Sequence, residues 1–162
     1  MGKVLSGFPN GWAGAVSRAV DDIVEAHANV SDTRIPFGSP AFLDEDGAGV
    51  TGIQSGADAD TFVGFAVRSP AKTPNVYSPE EEANLAAYEA GEMVDVLTRG
   101  SIVLPASGGG IQPGKQVYID MDTGRAVASS SSGTLAVPDC HFRTTRDANG
   151  FAEVVLLNRS LI

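Results

Sequence analysis

The sequence predicts a mainly β fold: a jelly-roll-like β-sandwich or barrel with an extended N-terminal arm and one short helix. Runs in which apolar and polar residues alternate recur at roughly eight- to twelve-residue intervals, as half-buried strands do. Turns rich in glycine and proline separate these runs, and the 162 residues contain 19 glycines and 9 prolines. About nine short strands with a single helix are typical of antiparallel sandwiches and barrels.

The most regular series of predicted strands lies between residues 91 and 128. Four segments there alternate as strands do: residues 93–97, 101–104, 116–119 and 125–128. Thr98-Arg99-Gly100 predicts a turn between the first two segments. A hairpin turn is predicted between the last two, around Gly124.

A further hairpin is predicted at Asn149-Gly150, because Asn-Gly favours the tight turns that join antiparallel strands. It would pair residues 140–145 with residues 152–157. Residues 129–133 (Ser-Ser-Ser-Ser-Gly) predict a flexible tip ahead of that hairpin.

One helix is predicted to begin after Ser78 and to end at Gly91. Ser78 is a typical N-cap, proline follows at the first helical position, and three glutamates occupy the first turn, where they compensate the helix dipole.

The length and pattern predict one domain with an appended arm: an extended arm over residues 1–22, and a β-sandwich or barrel domain over residues 23–162 with a helical insert at about 78–90. Residues 16–30 fit either a helix or a strand, and we predict a strand that begins near residue 23.

The charge of the chain excludes several classes of partner. Asp and Glu number 20 against 11 Lys and Arg, so the net charge is -9. Such a chain repels phosphate backbones and anionic lipids, and its basic residues form no cluster in the sequence. No apolar stretch approaches the length of a membrane span. We therefore expect no nucleic-acid and no membrane partner.

The single cysteine, Cys140, excludes an internal disulfide and fits a reducing compartment.

No set of residues indicates catalysis, a metal or a cofactor. Asp122-Thr123-Gly124 matches the aspartic-protease triplet, but its place between two alternating strands favours a hairpin turn. Cys140 and His141 are neighbours in a predicted strand, so their side chains point to opposite faces and cannot act together. We expect a protein that is not an enzyme and has no cofactor and no metal. The alternatives are a small β-barrel aspartic-type hydrolase that uses Asp122, and a β-sandwich ligand-binding module.

The order of the segments, more than any one of them, resembles the structural cement or capsid decoration proteins of tailed bacteriophages. The similarity covers most of residues 15–158. Its segments are residues 15–22, 35–43, 62–68, 91–97, 99–102, 114–119 and 152–156.

The resemblance implies a non-catalytic virion protein, made in the host cytoplasm, that binds the outside of a capsid and bridges adjacent major capsid subunits. Its implied partners are the major capsid protein and further copies of itself. The resemblance does not fix the oligomer, and we expect a homotrimer in preference to a homodimer.

Three residues of the N-terminal segment are candidates for a subunit or capsid interface. Phe8 and the sole tryptophan, Trp12, lie in a stretch rich in glycine, and Arg18 follows. Aromatic residues on such an arm pack either against their own domain or against a neighbouring subunit. Tryptophan and arginine are enriched at interface hot spots, so we expect Phe8 and Trp12 to anchor the arm on a neighbour and Arg18 to add a polar contact.

Overall fold

The computed structural model describes residues 10–75 and 78–157. Within these residues the chain forms eleven strands, one α-helix and one 3₁₀-helix. The strands are β1 (Val16–Ala28), β2 (Ile35–Pro36), β3 (Pro40–Leu43), β4 (Val50–Thr51), β5 (Phe62–Ala66), β6 (Ala87–Tyr88), β7 (Met93–Pro105), β8 (Gln116–Asp120), β9 (Ala126–Val127), β10 (Thr134–Phe142) and β11 (Phe151–Leu156). The 3₁₀-helix spans Pro70–Lys72 and the α-helix, α1, spans Pro79–Leu85.

Nine of the strands form one antiparallel sheet in the order β4-β3-β5-β7-β11-β10-β8-β9, with β1 paired to β7; β2 and β6 form a separate ribbon. The two ends of the sheet approach each other, since a methyl group built on Gly124 would lie 3.5 Å from Ile53 Cδ1. They do not pair, however, because β4 and β9 share no ladder. The fold is therefore mainly β and sandwich-like, as predicted, and it is not a closed barrel.

Two hydrophobic clusters pack on opposite faces of the sheet. The first fills the space between the folded-over halves and includes Phe42 and Phe65 from one half and Ile119 from the other. The second lies under the small β2–β6 ribbon and α1, and it includes Phe37 and Tyr88, whose rings meet edge to face at 5.4 Å. The central strand β7 contributes to both clusters, which is why it is buried on both faces.

Strand β7 is one continuous strand, so the turn predicted at residues 98–100 is wrong. Val96 and Val103 belong to the second cluster, an odd number of residues apart, so the strand contains a bulge that reverses its alternation. Gly100 lies in this bulge with φ +123, a backbone conformation that favours glycine. A side chain there would collide with Asp22 of β1, with its first carbon 2.9 Å from Asp22 Cβ. Thr-Arg-Gly thus bends a strand instead of ending it.

Three element boundaries also differ from the prediction. Strand β1 begins at Val16 instead of near residue 23, because its first part pairs with β7 through Val16 and Ile102. Strand β10 begins at Thr134, well before residue 140, because β8 pairs with it there. Helix α1 ends at Leu85, before Gly91, because Tyr88 is already paired with β2.

Two hairpin predictions and the helix-cap prediction are confirmed. The β8–β9 and β10–β11 hairpins form where the turn residues predict them. Ser78 caps α1, its Oγ accepting a hydrogen bond from the Glu81 backbone N–H at 3.3 Å. None of the helices in the described ranges is both long enough and apolar enough to cross a membrane.

Candidate functional site

From residue 10 onward the N-terminal segment lies against its own domain. The Asn10 backbone N–H donates to Asp147 Oδ2 at 2.8 Å, and its side-chain amide donates to the Phe151 carbonyl at 2.9 Å. The backbone of Gly14 forms two hydrogen bonds with distant segments. Its N–H donates to the carbonyl of Val103 in β7, and its carbonyl accepts from the N–H of Arg68 just after β5, both at 2.8 Å. These contacts hold residues 10–14 in place. Phe8 lies outside the described residues.

Trp12 is half-buried beneath a guanidinium of its own domain. Arg68 Cζ lies 5.1 Å from the centre of the Trp12 ring, which is a cation–π distance. The same guanidinium binds Glu82 of α1 with two parallel hydrogen bonds, Nε to Oε2 at 2.7 Å and Nη2 to Oε1 at 2.8 Å. Glu82 is only 2% exposed, and its carboxylate raises the pKa of Arg68. Arg68 therefore joins the N-terminal segment to the helix.

Arg18 lies on β1 beside the carboxylate of Glu153 on β11. Arg18 Nε donates to Glu153 Oε1 at 2.7 Å, and Ser17 Oγ donates to the same oxygen at 2.9 Å. Burial alone would raise the pKa of Glu153, but the hydrogen bonds from Arg18 and Ser17 outweigh it, so this pKa is lowered. The Glu153 side chain is 9% exposed, whereas that of Arg18 is 58% exposed.

Arg18 also lines a surface depression of about 210 Å³, together with Arg99, Arg143 and the exposed Leu157. This depression combines cationic and apolar groups. Trp12 and Arg18 have different partners, so the structure does not join them in one cluster among the residues it describes.

Strand β1 is an exposed edge that the sequence analysis did not identify as a candidate surface. It pairs with β7 along one side, and no described strand pairs with its other side. Ile23 and Val24 are about half-exposed on it, and so is Met93, which faces Ala28 across the ladder. A long edge strand with exposed apolar side chains is a ready template for another chain. The alternation of apolar and polar residues after Ile23 indicates a strand. It does not indicate which side of that strand stays exposed to solvent.

The candidate catalytic groups are in structural positions. Asp122 is exposed in the β8–β9 turn, where its backbone N–H donates to Asp120 Oδ1 at 2.9 Å and thereby lowers the pKa of Asp120. Cys140 is fully buried, and burial raises the pKa of its thiol. Among the described residues, no three His, Cys, Asp or Glu side chains are grouped as metal ligands would be.

The comparison with known families decides which group the chain belongs to. The family model described as "Structural cement protein (E217 gp24/Pam3 gp6)" matches residues 3–157. The chain belongs to this cement family. The predicted resemblance is therefore confirmed, and this cement protein is a structural protein of a phage capsid, associated with capsid proteins.

A solved structure has the same fold as the cement protein. It is a chain of "The capsid of Myoviridae Phage XM1", with a TM-score of 0.73 and 21% sequence identity over 98% of this chain and 96% of that chain. At this identity the likeness shows the fold alone. A comparison with curated proteins gives no match.

Proposed function

We propose that this cement protein binds the outer surface of a phage capsid lattice and stabilises the lattice by bridging major capsid protein subunits, without catalysis. The observation that carries the proposal is the family match, which extends over nearly the whole described chain. The protein is made in the host cytoplasm and ends on the outside of the virion.

The exposed edge of β1 supports this role. An edge strand offers a row of free backbone donors and acceptors, and the half-exposed Ile23 and Val24 beside them add apolar area. Each copy needs only moderate affinity for the lattice, because one copy that contacts two capsid subunits binds through both contacts at once. Many such copies on a repeating lattice together give a large stabilisation. The exposed edge of β1 can therefore contribute to a contact that bridges two capsid subunits.

We further propose that the cement protein associates with itself, as a homotrimer in preference to a homodimer, and that Phe8, Trp12 and Arg18 lie at the subunit or capsid interface. Trp12 keeps part of its ring accessible while Arg68 holds it, so the ring is fixed before it meets a partner. A fixed aromatic side chain loses little entropy on binding, which favours affinity.

The direct test is to measure the solution mass of the purified chain by light scattering and then to add the chain to capsids that lack it. We expect a discrete oligomer that saturates the lattice and raises the melting temperature of the capsid. A chain that leaves the capsids unbound at micromolar concentration would refute the proposal.

Replacing Trp12 tests the proposed interface separately. We expect Trp12→Ala to weaken capsid binding by about 2 kcal/mol, roughly thirtyfold, as truncation of an aromatic hot spot does. Occupancy of the capsid, measured by titration, reports the change. Leu85→Ala is the control, since Leu85 is a large apolar side chain that is exposed at the end of α1, away from the N-terminal segment in sequence. Unchanged occupancy and unchanged oligomer mass for Trp12→Ala would remove Trp12 from the interface.

A further inference from the structure

A groove of about 350 Å³ lies between α1 and the turns that precede β9 and β11. Phe37 and Phe151 lie at its base, and Glu80 and Asn84 of α1 form part of one wall. Two arginines, Arg125 and Arg146, also line the groove. The groove therefore has a mainly polar lining that carries two cationic groups and the carboxylate of Glu80, over two almost fully buried phenylalanines.

The two guanidinium groups converge on one point. A methyl group built on Gly150 would lie 3.7 Å from Arg146 Nη2 and 3.9 Å from Arg125 Nη1. Both residues are exposed, and within the described ranges neither guanidinium forms a hydrogen bond or an ion pair. Four other basic side chains, those of Arg18, Arg68, Lys72 and Arg99, do have carboxylate partners. Two adjacent unpaired arginines are unexpected in a chain with 20 acidic and 11 basic residues.

The chemistry of the groove favours a carboxylate. Planar guanidinium groups bind carboxylates through paired, charge-assisted hydrogen bonds, and two such groups around one point can share a single anion. A nucleic-acid backbone is a poor occupant, because the net charge of -9 repels it. The volume of the groove suits a short segment of a protein.

We propose that this groove binds an aspartate or glutamate side chain on the surface of the capsid lattice, with Arg125 and Arg146 holding the carboxylate. The inference rests on the proposed function, since it names the chemistry of one contact with the lattice. This contact would fix the orientation of the cement protein and make its binding dependent on salt.

The test compares capsid binding of the full chain with that of Arg125→Gln, Arg146→Gln and the double variant, across a series of salt concentrations. Lys115→Gln is the control for each single variant, because it removes one positive charge from an exposed residue outside the groove. At low salt we expect the double variant to bind at least about tenfold more weakly than the unmodified chain, the loss expected for a charge-assisted hydrogen bond. We also expect its affinity to fall less steeply with salt, while Lys115→Gln binds as the unmodified chain does.

The outcomes separate the inference from the function on which it rests. If the unmodified chain does not bind capsids, the proposed function fails. If the unmodified chain binds and the double variant binds equally well with the same salt dependence, only the groove assignment is overturned. A double variant that loses oligomer mass but keeps its capsid affinity would also overturn it, because the occupant would then be a second copy of the chain.

A second readout does not need capsids. In a titration followed through the NMR signals of the arginine Nε–H groups, we expect the signals of Arg125 and Arg146 to respond to the peptide triglutamate and not to triglutamine. A response to inorganic phosphate without one to triglutamate would overturn the assignment.

Discussion

Gly64→Ala is expected to lower the free energy of unfolding by about 3 kcal/mol or more. Gly64 lies in β5, and a methyl group built on it would overlap the carbonyl oxygen of Leu97 and lie 2.8 Å from its carbonyl carbon and 2.9 Å from Val96 Cγ1. The obstacle is the backbone of β7, which cannot move aside because β1 and β11 also pair with it. The chain must therefore break part of the sheet to admit one carbon atom.

Urea denaturation of the purified variant measures this loss. Gly109→Ala is the control, since a methyl group on Gly109 would have no atom within 4 Å and its φ lies outside the positive range. A domain of this kind has only about 5–15 kcal/mol of stability, so the Gly64 variant should unfold at a clearly lower urea concentration or accumulate as insoluble protein. A Gly64→Ala midpoint equal to that of Gly109→Ala would show that β7 can shift.

Arg68→Ala is expected to cost about 3–5 kcal/mol, because it leaves the carboxylate of Glu82 buried without its partner. Glu82 is only 2% exposed and receives both hydrogen bonds of the Arg68 guanidinium. The substitution also removes the cation above the Trp12 ring, so the N-terminal segment loses part of its attachment.

The exposed pair of Arg99 and Asp21 provides a matched comparison. Its side chains are 44% and 72% exposed, so Arg99→Ala should cost no more than about 1 kcal/mol. The double variant Arg68→Met/Glu82→Gln should recover much of the stability lost in Arg68→Ala, since it removes the buried charge. If Arg68→Ala and Arg99→Ala unfold at the same urea concentration, burial of the Glu82 carboxylate does not control the stability of this region.

Local chemistry explains which parts of the fold the sequence could predict. Asn149-Gly150 and Ser78 determine their own turn and cap through contacts within a few residues, and both predictions are confirmed. Thr98-Arg99-Gly100 has the composition of a turn, but the pairing of β7 with β1, far away in sequence, makes it a bulge. Turn residues specify a bend in the backbone, and the distant partner decides whether the strand continues.

The candidate surfaces were harder to predict, because each depends on residues brought together from distant segments. Only the composition of the N-terminal segment points to Trp12, and its partner Arg68 follows five strands later in the sequence. Arg125 and Arg146 are separated by strands β9 and β10, and their guanidinium groups come near each other at Gly150. No local sequence pattern indicates that two distant side chains will lie close together. The exposure of an edge strand is equally hard to predict, because it depends on whether any other segment of the fold packs over it.

The position of β11 has a consequence for when the protein becomes competent to assemble. This strand comes last among the described strands, yet it lies between β7 and β10 in the middle of the sheet. During synthesis β7 and β10 have no ladder to join them, so the two halves cannot close over their shared core until residues 151–156 have left the ribosome. Folding is therefore completed after translation of this strand, and a chain that ends before residue 151 lacks the ladders that join the two halves of the sheet.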